Sequence, residues 1–148
     1  MANIVFNQAL GRVAYYGSLP ATNDALIAVP IEATGIVSDA TMRDYDDLST
    51  LLAGASNEQT TMGRKTLASV TVTVDDTNDR VAVDCADITW TAATGNAISA
   101  LVICYDPDTT TGTDTDLIPL VKCDFAITPD GSDVTATVND FYRANSAA

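Results

Sequence analysis

Val70, Val72 and Val74 alternate with Thr71 and Thr73, the period-two pattern of a strand buried on one face. Val81, Val83 and Cys85 alternate with Ala82 and Asp84 in the same way, and the polar cluster Asp75-Asp76-Thr77-Asn78-Asp79 lies between the two runs. That order predicts a β-hairpin. Ile88 and Trp90 continue the alternation up to a break at Ala93-Thr94-Gly95-Asn96. Ile98 to Tyr105 is almost wholly apolar, as expected of a central strand covered on both faces. A long polar loop runs from Asp106 to Asp116, and then Val121, Cys123 and Phe125 face one way with Lys122 and Asp124 the other. Thr128-Pro129-Asp130-Gly131 has the residues of a type I turn, and Val134 to Val138 is expected to return as the last strand.

The first third of the chain has a different period. Met42, Tyr45, Leu48 and Leu52 fall at helical spacing, with Ser38 placed to cap the start and Gly54 to stop it, so the pattern predicts one helix of about four turns. Before it, Ala25 to Ile31 is an apolar run that Pro30 ends or pushes to a sheet edge. Residues 1–20 are expected as part of the domain or as an extended N-terminal arm, and Asn57 to Lys65 as a loop. No internal repeat or linker divides the chain. The expected fold is mainly β: a single β-rich domain over residues 1–148, a β-sandwich or barrel with one α-helix inserted in the N-terminal third. The 21 threonines suit the wet face of such sheets, where a branched Cβ packs and a hydroxyl stays hydrated.

Charge narrows the function classes. With 7 basic and 20 acidic side chains the net charge is −13, which disfavours both nucleic acid and anionic membranes as partners. The chain has no histidine, so Ser-His-Asp and Cys-His catalysis are excluded, along with the commonest zinc and haem ligand. No nucleophile motif or cofactor fingerprint is present, and the expectation is a protein that is not an enzyme and takes no cofactor. The N-terminus lacks the features of a signal peptide, and the longest apolar runs are far short of the roughly 20 residues that span a bilayer. Three cysteines, an odd number without metal spacing, point to folding in a reducing cytoplasm.

Several clusters are candidates for chemistry. Asp106 and Asp108 have the first spacing of a calcium loop, but Gly112 comes one place late and Leu117 stands where the bidentate Glu belongs, so a solvated loop is the better reading. Asp44, Asp46 and Asp47 read as a solvated helix face rather than a carboxylate pair across a cleft. Cys104 and Cys123 are core residues or, if their strands are in register, a pair. Trp90 and Phe125 are expected in the core; Tyr15-Tyr16 and Phe141-Tyr142 are candidates for anchoring to a neighbouring subunit. Arg64-Lys65 is the only pair of adjacent cations and, with Met62 beside it, a candidate docking spot on an acidic partner surface. If it docks the protein, reversing both charges is expected to weaken binding and leave the melting temperature unchanged. Ile4-Val5-Phe6 is the segment best suited to adding a strand to a neighbour's sheet.

Four stretches carry a resemblance: Asn57-Glu-Gln-Thr-Thr-Met-Gly-Arg-Lys-Thr66, Thr89-Trp-Thr-Ala-Ala-Thr-Gly-Asn-Ala-Ile98, Cys104-Tyr-Asp106 and Asp124-Phe-Ala-Ile-Thr-Pro-Asp-Gly-Ser-Asp133. Together they resemble small virion proteins of tailed actinobacteriophages, most closely capsid decoration (minor capsid) proteins. The resemblance implies a structural particle component: a homotrimer on the capsid surface that binds the major capsid protein lattice after assembly in the host cytoplasm. It carries over no active-site residue. A tail or head–tail junction component and a host-surface binding module are the alternatives.

Overall fold

The computed structural model describes residues 3–146. Its strands are β1 (Ile4–Val5), β2 (Ala25–Glu32), β3 (Lys65–Thr66), β4 (Thr71–Asp75), β5 (Arg80–Asp84), β6 (Ile88–Trp90), β7 (Ile98–Asp106), β8 (Ile118–Ile127), β9 (Val134–Ala136) and β10 (Tyr142–Asn145). Its helices are α1 (Val13–Gly17), α2 (Asp39–Met42) and α3 (Leu48–Ala53), with a 3-10 turn at Asn7–Ala9. The chain is mainly β and its sheets are antiparallel: a five-stranded sheet in the order β1-β8-β7-β2-β3, a three-stranded sheet β10-β5-β4 and a two-stranded pair β6-β9.

The apolar run 98–105 is the central strand its composition predicts, since β7 pairs along its length with β8 on one side and β2 on the other. Paired residues in a ladder share a face. Val29, Val102, Lys122 and Ile4 therefore line one side of the large sheet, and Ala28, Ile103, Val121 and Val5 the other. Helices α2 and α3 cover the first side, tied to it by the backbone bond from Leu48 N to Leu117 O at 3.0 Å, and they bury Met42, Leu48 and Leu51 completely. On the second side Leu101, Ile103 and Phe125 face Ile88 and Ala136 of the β6-β9 pair.

Pro30 neither ends β2 nor leaves it at an edge. Its carbonyl accepts from Gln59 N at 2.9 Å, on the side away from β7. A strand residue's N–H and C=O point the same way, so the missing donor faces the irregular 57–66 segment and no bond to β7 is lost.

The period-two reading holds best in the β6-β9 pair. Ile88, Trp90, Val134 and Ala136 are buried while Thr89 and Thr135 stand opposite each other outside, hydroxyls 3.0 Å apart. In the hairpin, Val72 and Val83 lie under α1. A Cβ on Gly17 would stand 2.9 Å from Val83 Cγ1 and 3.2 Å from Val72 Cγ2, so the helix reaches the sheet because this residue has no side chain.

Three further expectations need correction. The single long helix is two short ones. Ser38 caps the first, accepting from Thr41 N, and Gly54 ends the second, both as the pattern indicates. Between them Asp47 takes an extended conformation (φ −142°, ψ 163°) and its carboxylate accepts from Thr50 N at 2.7 Å, starting a new helix instead of continuing the old one. Short acidic side chains compete with the helix for backbone donors, and three of them lie within residues 44–47. The break resets the phase, so Leu51 is fully buried and Leu52 only partly.

The described part of the segment 1–20 is not an extended arm. Phe6, Ala9 and Val13 are fully buried, because a 3-10 turn and α1 fold the segment back onto the sheets; residues 1 and 2 lie outside the described residues. The strand after residue 134 is not the last: β10 follows and pairs with β5 from Tyr142↔Val83 to Asn145↔Arg80. Lys122 and Asp124 share a face of β8, as the alternation predicts, but Lys122 does not reach water. Its side chain is 0% exposed, because its face of β8 is the one covered by the helices.

Candidate functional site

Arg64, half of the candidate docking pair, sits in a clamp. Its Nε and Nη2 donate to the two carboxylate oxygens of Glu58 at 2.9 and 2.6 Å, and Nη1 and Nη2 donate to Asp114 at 2.6 and 3.0 Å. Two bidentate pairs on one planar guanidinium tie the 106–116 loop to the segment before β3. The hydrogen bonds that Arg64 donates to Glu58 and then to Asp114 push the guanidinium's affinity for its proton up, while Arg64 holds the Asp114 carboxyl below its ordinary range. The Asp114 contribution is therefore present above that ordinary range and is lost as pH falls through the lowered folded value. The other two residues of the spot are also engaged: Met62 is buried, and Lys65 is half-buried in β3 opposite Ala28.

This corrects the expectation that reversing both charges leaves stability untouched. Arg64→Glu would gather three carboxylates and strip four charge-assisted bonds from a group about a third exposed. The expected loss is about 1–3 kcal/mol, read by urea unfolding. Lys65→Glu alone is expected to change stability by less than about 0.5 kcal/mol.

A second junction lies beside the clamp, and nothing in the apolar pattern signals it. Gln59, 1% exposed, uses its whole amide: Nε2 donates to Thr94 O and Asn96 O, both at 3.1 Å, while Oε1 accepts from Thr61 N at 2.8 Å and Met62 N at 3.1 Å. Trp90 Nε1 donates to Gly63 O at 2.9 Å. Residues 57–66 and 89–98, two of the four stretches that carry the resemblance, thus meet in space.

Ile4 and Val5 pair with Lys122 and Val121 of their own chain, and Phe6 N donates to Leu120 O at 3.1 Å. The segment read as able to complete a neighbour's sheet completes this one. Only its outer edge remains open among the described residues.

The aspartate loop is held by its own hydroxyls. Asp108 accepts from the backbone and side chains of Thr110 and Thr111, which hold its carboxyl well below the ordinary range, and its N–H donates to Asp106 Oδ1 at 3.1 Å. Among the described residues no three Cys, Asp or Glu side chains gather as metal ligands. The acidic cluster of the helical region is divided: Asp47 caps α3, Asp44 accepts from Asn7 Nδ2, and Gln8 donates to the Asp46 carbonyl.

All three cysteines are free thiols. Cys123 lies opposite Leu101, and Cys104 opposite Pro119, so Cys104 and Cys123 are out of register and do not form the pair considered from sequence. Burial pushes the Cys85 and Cys123 thiols up to about 11. Both open onto a cavity of about 280 Å³ on the second side of the large sheet. Phe141 lines the same cavity and Tyr142 lies in β10, so that pair packs within its own chain. Tyr16 stacks on Tyr105 with ring centroids 5.3 Å apart.

The large exposed apolar side chains are Leu10 (62%), Tyr15 (60%) and Val74 (72%). Tyr15 belongs to α1, Leu10 lies three positions before the start of α1, and Val74 belongs to the hairpin on which α1 packs. The outer edge of β4 has no partner strand among the described residues, and its five residues carry no proline, lysine or bulge. An edge without those protections is a ready template for pairing.

No protein-family model, curated protein or solved structure matches the chain. No helix among the described residues is long and apolar enough to cross a membrane.

Proposed function

We propose that the chain is a non-enzymatic virion structural protein, a β-sandwich that decorates the assembled capsid as a homotrimer by binding the major capsid protein lattice. The observation that carries this reading is the open β4 edge, whose strand also leaves Val74 72% exposed. Apolar side chains with no cover in their own chain, next to unpaired strand backbone, suit an assembly contact better than a small-molecule site. The charge of −13 keeps many copies soluble and apart before they dock. The resemblance to actinobacteriophage virion proteins supplies the identity of the lattice.

The test is copy number in purified particles by quantitative mass spectrometry, with co-sedimentation of the purified protein on assembled shells. The expected outcome is a copy number close to that of the major capsid protein, and binding to shells but not to free shell subunits. The double variant Tyr15→Ser, Val74→Asp is expected to lower shell binding at least tenfold with an almost unchanged melting temperature. A few copies per particle would assign the protein to the tail or the head–tail junction. Adsorption of the isolated protein to cells would assign it to host binding, and absence from particles would discard the proposal.

A further inference from the structure

We propose that Lys122 and Asp39 condense into a side-chain amide that covalently ties α2 to β8. The observation is a lysine with a 0% exposed side chain whose Nζ lies 2.8 Å from Asp39 Oδ1 and 2.7 Å from Asp124 Oδ1. Its neighbours on the same face of the sheet are Ile4 and Val102, so the ammonium is held in apolar surroundings with a carboxylate on either side. Burial makes an ion pair costly to hold, and one proton passed from the amine to Asp39 in the reaction gives an uncharged amine and an uncharged acid. Those are the two forms that react with each other, and the fold already holds them in contact.

The step balances without an oxidant or a cofactor. The Lys122 amine attacks Asp39 Cγ and a C–N bond forms. Asp124 takes the proton that the nitrogen gives up and returns it to the departing hydroxyl of Asp39. The Cγ–O bond breaks and one water leaves. Ammonium plus carboxylate becomes amide plus water, with no net change of charge.

Asp39 is the acceptor for two reasons. It comes from the layer that faces the sheet, 83 residues away in sequence, whereas Asp124 stands two places along the same strand face. The Asp39 side chain is 21% exposed and that of Asp124 is 34%, so Asp124 is the better placed to exchange protons with solvent, and the released water has a way out. The amide would anchor the helical layer whether or not the chain decorates a capsid.

The experiment uses the full-length chain, purified folded and then denatured for intact-mass measurement and tryptic mapping. The expected mass is one water below that of the sequence. An amidated lysine resists trypsin, so the expected map contains a branched peptide joining residues 13–43 to residues 81–143. Lys122→Met and Asp39→Ala, each checked for folding by circular dichroism, are expected to show full mass and no branch. Asp124→Asn is expected to slow formation of the link at least tenfold while both bonding residues remain. A full-mass wild-type chain cut after Lys122 would overturn the proposal. So would a water deficit without the branched peptide, which would place the dehydration elsewhere, for example at Asp130-Gly131. A link formed at the wild-type rate in Asp124→Asn would remove Asp124 from the mechanism.

Discussion

Lys122→Ala is expected to destabilise the protein by about 3–5 kcal/mol, the usual cost of removing one partner from a buried charge cluster. Two effects add. The aliphatic stem fills space on the helix-covered face of β8, and its loss leaves a cavity among side chains such as Ile4 and Val102. Asp39 and Asp124, each now within 2.8 Å of Nζ, would also lose that partner. For a domain of this size the loss corresponds to a fall in melting temperature of roughly 10 °C. Lys122→Met separates the two effects, because it keeps most of the volume and, like Ala, lacks the side-chain nitrogen. Both variants forgo the nitrogen, whether it is held as an ion or as the amide, so the difference between them is the cavity, and Met is expected to lose clearly less than Ala. Urea unfolding of both variants checks this. Equal losses would mean that the nitrogen alone matters, and no loss in either would mean that the helical layer does not depend on this lysine.

That lysine also marks the limit of the alternation pattern. Along β8, residues 121–125 alternate apolar and charged, which for a single two-layer sheet puts Lys122 in water. The large sheet is covered on both sides, by helices on one and by smaller sheets on the other, so both faces of β8 are interior near its middle. The same fact explains why the all-apolar β7 was legible as the central strand: an element buried on both faces needs no alternation. Local signals also held at Ser38, Gly54 and the Asp75–Asp79 turn, because capping and turn chemistry depend on a few neighbouring residues. They failed at Asp44–Asp47, where helical spacing continues and only the competition of aspartate side chains for backbone donors breaks the helix. β10 was missed because its sequence Tyr-Arg-Ala-Asn carries little pattern, and its place depends on pairing with a strand nearly 60 residues earlier.

The candidate site was legible in its residues and not in its geometry. Arg64 was singled out because cations are rare in this chain, and rarity is also why it is not free. With 20 acidic side chains against 7 basic ones, a partly buried arginine collects carboxylates from within its own fold, here Glu58 and Asp114. The surface that remains for a partner is set by what the chain leaves uncovered. No sequence window shows that Leu10, Tyr15 and Val74 stay exposed, since burial depends on packing such as the close approach of α1 to the hairpin at Gly17.

Trp90→Ala is expected to cost about 3–5 kcal/mol, the range for deleting a buried large aromatic. Trp90 is 2% exposed and gives up both its apolar contacts and the donor that serves Gly63 O. Trp90→Phe isolates the second part. It keeps most of the buried area but leaves the Gly63 carbonyl unpaired, for an expected loss of about 1–3 kcal/mol. The neighbouring Gln59 junction is expected to fail with it, because both hold the 59–63 turn against the loop that follows β6. Gly95→Ala attacks that junction from the other side: its Cβ would fall 2.0 Å from Gln59 Nε2, at a residue with φ of +115°, so the amide must abandon its bonds to Thr94 and Asn96. If the two contacts act as one unit, the double variant Trp90→Phe, Gly95→Ala loses less than the sum of the single losses. Additive losses would show instead that the indole and the glutamine hold the turn independently.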